Sequence, residues 1–204
     1  MREIYTIGHS NHPIEKLVAL LAQHGVELVA DVRSHPASRF NPQFNRERLR
    51  ASLAAAGVDY ELLGRELGAR STDDGVYVDG KVDYDRLART TPFREGIVRV
   101  SAAAATRRVA LLCAEKDPIG CHRAILVCPA LAARGFAPLH IHSDGRLETD
   151  AELGERLLAE LGLAEGDLFR DRAALLAEAY RRRGRELGYE RRPGTEIGPA
   201  RSSR

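Results

Sequence analysis

The first 33 residues carry the pattern that most constrains the fold. Residues 3–10 contain four consecutive β-forming residues, 4–7, which Gly8 brings to an end, and they predict a short buried strand. Residues 14–21 then place apolar side chains at helical spacing, between Pro13, which suits the first turn of a helix, and Gly25, which suits its end. A second apolar run, residues 26–33, follows at once. The pattern therefore predicts a β-α-β unit with parallel strands.

The same alternation continues through most of the chain. It predicts further strands at residues 58–63 and 108–115 and a last strand at residues 137–143, with helical patterns between them. A small hairpin is predicted at residues 76–82 and a break in the following helical pattern near Pro92. The sequence thus predicts an α/β fold, an open and mostly parallel sheet with helices on both faces.

The character of the sequence changes near residue 149, after which only helical patterns follow. We expect residues 1–148 to form the α/β domain, residues 149–190 a helical extension packed on it, and residues 191–204 a disordered basic tail. From Tyr180 onward, eight arginines stand against three glutamates. This excess favours either a solvated terminus or a contact with nucleic acid or another acidic partner.

The composition is that of an ordinary globular protein, with 44% hydrophobic and 29% charged residues. The apolar runs are too short to span a bilayer, and the N-terminus lacks the apolar core of a signal peptide, so we expect a cytoplasmic protein without a membrane partner. Three cysteines argue against a disulfide framework and for reduced thiols. The oligomeric state is left open.

Polar residues follow three of the predicted strands at the points where the strands end. His9 ends the first, Asp31 and Arg33 end the second, and Cys113 and Glu115 end the run of residues 108–115. Ligands of parallel α/β sheets bind outside the carboxyl ends of the strands. If the three strands are neighbours, these side chains line one crevice.

Each of these residues also has a structural explanation. His9 suits a solvated turn, and Ser10 suits either an anion contact or a cap of the helix that follows. Asp31 interrupts a run that should be buried, and a buried carboxylate needs a partner, which Arg33 would supply. A structural ion pair and a functional site are equally open here.

The loop after the second strand interleaves aromatic rings with hydrogen-bond donors. Phe40 and Phe44 alternate with Arg39, Asn41 and Gln43. Rings stack on planar ligands and arginine binds oxyanions as a fork, so the three polar residues are candidate anion ligands. An ordinary packed loop is the alternative.

The stretch after Cys113 holds the best candidate nucleophile. A helix is predicted to begin near Cys121, where free backbone N–H groups and the neighbouring His122 and Arg123 would stabilise a thiolate. Cys121 is therefore the candidate nucleophile, while His122, Arg123 and Lys116 are candidate anion ligands.

Metal binding is the alternative interpretation of this stretch. Cys113, Cys121 and His122 are candidate ligands, but the C-x-x-C and H-x-x-x-H pairs typical of zinc sites are missing. No cofactor is predicted on this spacing, and a divalent metal is kept as the alternative. Cys128 lies seven residues past Cys121 on the same face of the predicted helix, and it is expected to be a packing residue.

Four segments of the chain carry a resemblance to a known family. They are TIGHSN at residues 6–11, DVRSHPASRFNPQFN at residues 31–45, LLCAEKDPIGCHR at residues 111–123, and HI from His140. Together they resemble the family designated domain of unknown function 488, a resemblance that marks residues of interest without implying a reaction.

A weaker similarity is to rhodanese-like and cysteine-dependent phosphatase-like domains. It rests on ELVADVRS and on residues 109–136, although nine residues separate Cys113 from Arg123, a longer loop than those domains have. This second resemblance implies an α/β fold and an anion pocket.

These observations predict an enzyme that binds an anionic substrate, a phosphate, a nucleotide or a nucleic-acid-derived group, at the carboxyl ends of the strands. The reaction type is not specified by the sequence. A non-catalytic nucleotide or nucleic-acid binding module and a metal-dependent enzyme are the alternatives. In the predicted site Arg33, Arg39 and Arg123 hold the anion, His9 and Glu115 exchange protons, Asp31 orients Arg33 or His9, and Cys121 is nucleophile or ligand.

Overall fold

A computed structural model describes residues 2–163 and 171–191. The strands fall into one large sheet and one small antiparallel hairpin, the hairpin being formed by β4 and β5. The strands are β1 (Arg2–Gly8), β2 (Leu28–Asp31), β3 (Asp59–Leu62), β4 (Tyr77–Val78), β5 (Lys81–Val82), β6 (Val109–Cys113), β7 (Phe136–Ile141) and β8 (Leu147–Thr149).

The helices alternate with the strands up to β7 and then dominate the C-terminal part. A 3-10 turn at Pro118–Gly120 and a π-helical turn at Arg123–Val127 precede the sixth helix. The helices are α1 (Ile14–Gln23), α2 (Arg46–Ala55), α3 (Gly64–Leu67), α4 (Tyr84–Leu87), α5 (Thr91–Ala104), α6 (Cys128–Ala132), α7 (Asp150–Glu160) and α8 (Arg172–Leu187).

The large sheet has the strand order β3-β2-β6-β1-β7-β8. Its first five strands are parallel and only β8 runs antiparallel, against β7. The predicted open, mostly parallel sheet is therefore confirmed. Because β6 lies between β2 and β1, the three strands that end in polar residues are neighbours, and their carboxyl ends meet at one edge.

Side chains alternate between two apolar layers, one on each face of the sheet, as the period of two in a strand requires. Tyr5 and Ile7 pack with apolar residues of α1 and α2, whereas Ile4 packs on the opposite face with residues of α5 to α8. In β6, Ala110 and Leu112 belong to the first layer and Leu111 to the second. Helices on both faces of the sheet, as predicted, follow from strands that are apolar on both sides.

The prediction that the strand at residues 137–143 is the last is wrong. After β7 the chain turns at Gly145 and adds β8 as an antiparallel edge strand. Its central side chain, Glu148, is buried but charged, and it pairs with Arg156 and His142. A three-residue strand with a carboxylate at its inward position carries no apolar alternation, so the pattern did not indicate it.

The helical breaks have identifiable causes. The predicted interruption near Pro92 is confirmed, because α4 ends at Leu87 and Pro92 lies in the first turn of α5. The helix predicted from Cys121 begins as a π turn, and Pro129 lacks the N–H that an α-helix would donate to the carbonyl of Ile125.

The C-terminal helices start and end on specific contacts. Thr149 and Glu152 form the capping box of α7, with the Glu152 N–H donating to Thr149 Oγ1 over 3.2 Å. After α8, the carbonyl of Tyr189 accepts from the N–H of Val82 at 3.0 Å, and the N–H of Arg191 donates to Gly80. These hydrogen bonds attach the segment after α8 to the β4-β5 hairpin.

Among residues 2–163 and 171–191, no helix has the length and apolar character needed to cross a bilayer. The basic tail predicted at residues 191–204 lies, apart from Arg191, outside the described residues.

Candidate functional site

The loop that follows β6 lies directly over the end of β1. The N–H of His9 donates to the carbonyl of Cys113, and the N–H of Ser10 to that of Ala114, both at 2.9 Å. A Cβ at Gly8 would collide with the carbonyl oxygen of Glu115. The backbones can approach this closely only because residue 8 is glycine.

Asp31 and Arg33 form a buried, bidentate ion pair beside this loop. Arg33 Nε donates to Asp31 Oδ1 at 2.9 Å and Nη2 to Oδ2 at 2.6 Å, while the hydroxyl of Tyr60 donates to Oδ2 at 2.8 Å. The Arg33 N–H also reaches Oδ1. Both oxygens of the fully buried carboxylate are therefore satisfied.

His9 completes this group of paired side chains. Its Nε2 lies 3.0 Å from Arg33 Nη1, its Nδ1 lies 2.8 Å from the carbonyl oxygen of Ser10, and its ring stacks on Phe44 with a centroid distance of 4.2 Å. Burial and the positive charge of Arg33 lower the pKa of His9 to about 4. The ring is therefore neutral near pH 7, with Nδ1 donating and Nε2 accepting.

Arg123 holds the loop after β6 in place by hydrogen bonds to its backbone. Its Nη1 donates to the carbonyl of Glu115 at 2.7 Å, its Nη2 to that of Lys116 at 3.3 Å, and its Nε to the hydroxyl of Thr6 at 3.4 Å. The side chain is fully buried. Its hydrogen-bonding groups hold protein backbone in place.

A cavity of about 440 Å³ opens at the carboxyl ends of β2 and β6. This volume is in the range of small-molecule sites. Its apolar wall includes Tyr84, Leu187 and Tyr189, so the end of α8 helps to close it. Its polar lining comprises Arg33, Ser34, His35, Arg70, Glu115, Cys113, Cys121 and His122.

Arg70 reaches the cavity from the segment after α3. Its N–H donates to Ser34 Oγ at 3.0 Å, and its guanidinium lies over the ring of Tyr189, 4.6 Å from the centroid. Gly68 permits this approach, because a Cβ there would collide with Ser34 Oγ. The guanidinium has no hydrogen-bond acceptor among the described residues.

Two cysteines and a histidine meet on the cavity wall. The Nδ1 of His122 lies 3.6 Å from Cys113 Sγ and 3.9 Å from Cys121 Sγ, and all three atoms lie within 4.8 Å of one another. Cys113 is 5% exposed and Cys121 2% exposed. We call these three residues the cysteine–histidine cluster.

The two clustered thiols differ in acidity. Hydrogen bonding to Cys121 and burial raise the pKa of Cys113. Burial opposes ionisation of Cys121 as well, but the hydrogen bond from Cys113, the charge of Arg123 and the contact with His122 outweigh it and lower the pKa of Cys121. Cys128 is fully buried among apolar residues, as expected for a packing residue, and burial raises its pKa.

The sequence-predicted site residues separate into two sets. Arg33, Glu115, Cys121 and His122 come together on the cavity wall, and the paired His9 and Asp31 lie behind Arg33. The remaining candidates do not line this cavity. They are Ser10, whose hydroxyl donates to Asn11, Arg39, which covers the exposed ring of Phe40, Asn41, Gln43, which donates to the carbonyl of His12, Lys116, and Arg123.

Sequence reasoning missed Arg70 and Tyr189 as members of the site. Arg70 lies in a Gly-, Asp- and Ser-rich segment whose pattern indicates a loop, and Tyr189 follows α8, where the N–H of Val82 donates to its carbonyl. The available signal at Arg70 was the two glycines, Gly64 and Gly68, that precede it. Both approach the backbone or side chain of residues 33–34 too closely to carry a Cβ.

The family model described as Domain of unknown function DUF488 matches residues 13–128. The matched segment includes the cysteine–histidine cluster, Arg33 and Arg70, whereas His9 and Tyr189 lie outside it. Comparisons with curated proteins and with solved structures found no match.

Proposed function

The chain belongs to the DUF488 family, and we propose that it is an enzyme that binds an anionic substrate in the cavity at the carboxyl ends of β2 and β6. The substrate carries a phosphate group, as a nucleotide or a nucleic-acid-derived molecule does. The observation that carries this proposal is the convergence of Arg33, His35 and Arg70 on one cavity beside the cysteine–histidine cluster.

Arg33 supports anion binding because part of its guanidinium is uncommitted. A guanidinium has five N–H donors, and Asp31 and His9 occupy three of those of Arg33. Two donors are left for a ligand in the cavity that Arg33 lines. The ion pair with Asp31 fixes the orientation of the fork, which lowers the entropy cost of binding.

Arg70 supplies a second guanidinium to the cavity lining. The charge of Arg33 is matched by the buried carboxylate of Asp31, but the Arg70 guanidinium has no hydrogen-bond acceptor among the described residues, so its charge is available to an anion in the cavity. The ring of Tyr189, already faced by the Arg70 guanidinium, suits a planar group attached to that anion. A nucleotide combines both features.

The reacting groups are assigned to Glu115 and Cys121, which line the same cavity. Glu115 is an exposed carboxylate on the cavity wall, suited to exchange protons with a bound substrate, and Cys121 is the reacting group or a ligand. His9 acts through Arg33 in this proposal, because both of its ring nitrogens are already paired.

Binding of inorganic phosphate and of a nucleoside monophosphate, measured by calorimetry, tests the anion site. Arg70→Gln should weaken binding by about tenfold or more, since a hydrogen bond to a charged group contributes about 1.5–3 kcal/mol. Arg65→Gln is the matched control, an exposed arginine at α3 that does not line the cavity. Equal affinities of the two variants, or no binding to the wild type, contradict the proposal.

Turnover is tested separately from binding. Wild-type protein incubated with nucleoside mono-, di- and triphosphates should form products that are detected by chromatography, and Glu115→Gln should bind the same compounds without forming them. Intact binding with no product in the wild type would contradict the enzyme and favour the non-catalytic binding module.

A further inference from the structure

We propose that Cys113, Cys121 and His122 bind a thiophilic divalent cation, with Zn²⁺ as the reference ion, and leave one coordination position open to the cavity. The site goes beyond the anion-binding proposal, and it is measured without any substrate. Each of the two proposals can therefore fail alone.

The two nitrogen–sulfur distances of the cluster fit a tetrahedral ion, and its two sulfurs lie within 4.8 Å of each other. In such a site, with Zn–S bonds of about 2.3 Å and Zn–N bonds of about 2.0–2.1 Å, a sulfur and a nitrogen ligand lie about 3.5 Å apart. The Nδ1 of His122 lies 3.6 and 3.9 Å from the two sulfurs. Both nitrogen–sulfur distances are therefore within a few tenths of an ångström of the expected value.

The tautomer of His122 is fixed from outside the cluster. Its Nε2 lies 3.1 Å from the carbonyl oxygen of Val32, an acceptor only, so Nε2 carries the proton and donates it. The lone pair of Nδ1 then points toward the two sulfurs. A backbone carbonyl that orients a ligating imidazole in this way is the usual outer partner of a metal-binding histidine.

The backbone explains how two cysteines eight positions apart reach one ion. Cys113 ends β6, and the 3-10 turn Pro118–Gly120 brings the chain back, with the N–H of Cys121 donating to the carbonyl of Pro118 at 3.0 Å. Asp117 caps that turn by accepting from the N–H of Ile119. A strand end and a capped turn thus replace the short C-x-x-C loop of common zinc sites.

The donor set selects the class of ion. Two thiolates and a neutral imidazole balance the charge of a divalent cation, and sulfur ligands favour Zn²⁺ and other thiophilic ions over Mg²⁺ or Ca²⁺. Three protein ligands with a fourth position open are typical of catalytic rather than structural zinc sites. Since all three residues line the cavity, water or an anionic substrate oxygen would take that position.

Cobalt(II) titration of the full chain tests the site. The protein is treated with chelator under reducing conditions and titrated with Co²⁺, and we expect one equivalent to produce a thiolate-to-cobalt charge-transfer band that Zn²⁺ abolishes. Cys121→Ser and His122→Gln should weaken binding by more than about 100-fold, since loss of an outer-shell partner alone costs roughly 10–100-fold. Cys128→Ala, which removes the buried cysteine outside the cluster, should bind as the wild type does.

Two results would overturn the proposal. One is the absence of the band in protein whose three thiols are shown to be reduced. That result overturns the proposal even if a separate sample without reductant forms a Cys113–Cys121 disulfide. The other is an undiminished band in folded Cys121→Ser and His122→Gln. Arg70→Gln separates the two proposals, because it should lose phosphate affinity and keep cobalt affinity.

Discussion

Two groups of buried polar side chains lie at the same edge of the sheet, and they differ in whether their hydrogen-bonding capacity is used. In the paired group, formed by His9, Asp31, Arg33 and Tyr60, each oxygen of Asp31 and each nitrogen of His9 has a partner. In the cysteine–histidine cluster, two sulfurs and one ring nitrogen converge on one another beside a cavity. Position at the strand ends is common to both groups.

The difference separates structural from chemical roles better than position does. A residue whose lone pairs and N–H groups are committed to protein partners has little left for a ligand. The paired group accordingly holds Arg33 in a fixed orientation, while the two sulfurs and Nδ1 of the cluster have, among the described residues, only one another as partners. Within the paired group, Arg33 is the residue that also lines the cavity, although it is paired with Asp31.

The largest expected effect comes from breaking the paired group. Asp31→Ala leaves the buried guanidinium of Arg33 without its counter-charge, and we expect a loss of about 3–5 kcal/mol in the free energy of unfolding, measured in urea. Asp59→Ala is the matched control, because Asp59, on the edge strand β3, pairs with Arg107 but is 72% exposed. It should cost no more than about 1 kcal/mol. Similar losses in the two variants would show that the group is not a buried ion pair.

The next effect concerns the loop that carries the cluster. Gly8→Ala forces a methyl group against the carbonyl oxygen of Glu115, and it should destabilise the protein by about 2–3 kcal/mol and weaken cobalt binding as the loop shifts. Gly120→Ala, in the same loop, meets no atom within 4 Å and should change stability by less than about 0.5 kcal/mol. A silent Gly8→Ala variant would mean that the loop does not rest on β1.

A smaller effect is expected from Arg156, which braces the same loop from α7. It donates to Asp117, at 2.8 and 2.9 Å, and to Glu148. Burial opposes ionisation of both carboxyls, but Arg156 outweighs it and lowers the pKa of each, with help at Glu148 from His142. Arg156→Gln should cost about 1–2 kcal/mol near pH 7, discounted because the guanidinium is partly exposed.

The pH dependence of stability tests whether Arg156 acts through its charge on Asp117 and Glu148. Carboxyls with a lowered pKa stabilise the folded state at neutral pH and lose that contribution as the pH falls through their folded pKa values. The stability difference between wild type and Arg156→Gln should therefore shrink as the pH falls from 7 to below about 4. A difference that is constant with pH would assign the loss to packing of the arginine stem.

Most of the sheet could be predicted because its strands are apolar on both faces, and such runs are visible in sequence. Strand β8 could not be predicted, since its inward residue is Glu148 and its stability depends on Arg156, a partner from a later helix. The π turn at Arg123–Val127 depends on Pro129 and on packing in the same way. Local patterns predict elements whose stability is local or uniformly apolar.

The sequence predicted which segments come together at the site, but it did not predict which side chains of the loops face the cavity. Strand ends follow from topology and the next helix start from its apolar pattern, so Arg33, Glu115, Cys121 and His122 could be grouped without a structure. Whether a polar side chain faces a cavity or a carbonyl depends on tertiary contacts that sequence does not encode locally. Arg123 and Arg70 illustrate this, because the first was predicted to hold an anion and donates to backbone, while the second was not predicted and reaches the cavity.

The smallest expected effect distinguishes the cavity from the loop after β2. Arg39 was a candidate anion ligand, but its guanidinium lies over the ring of Phe40, 4.7 Å from the centroid, and that ring is 79% exposed. Arg39→Gln should change stability by less than about 0.5 kcal/mol and leave phosphate affinity within about twofold of wild type. Arg70→Gln, measured beside it by the same calorimetry, should lose about tenfold or more. Equal losses would mean that the loop contributes to anion binding, and the site would then extend beyond the cavity that Arg33 and Arg70 line.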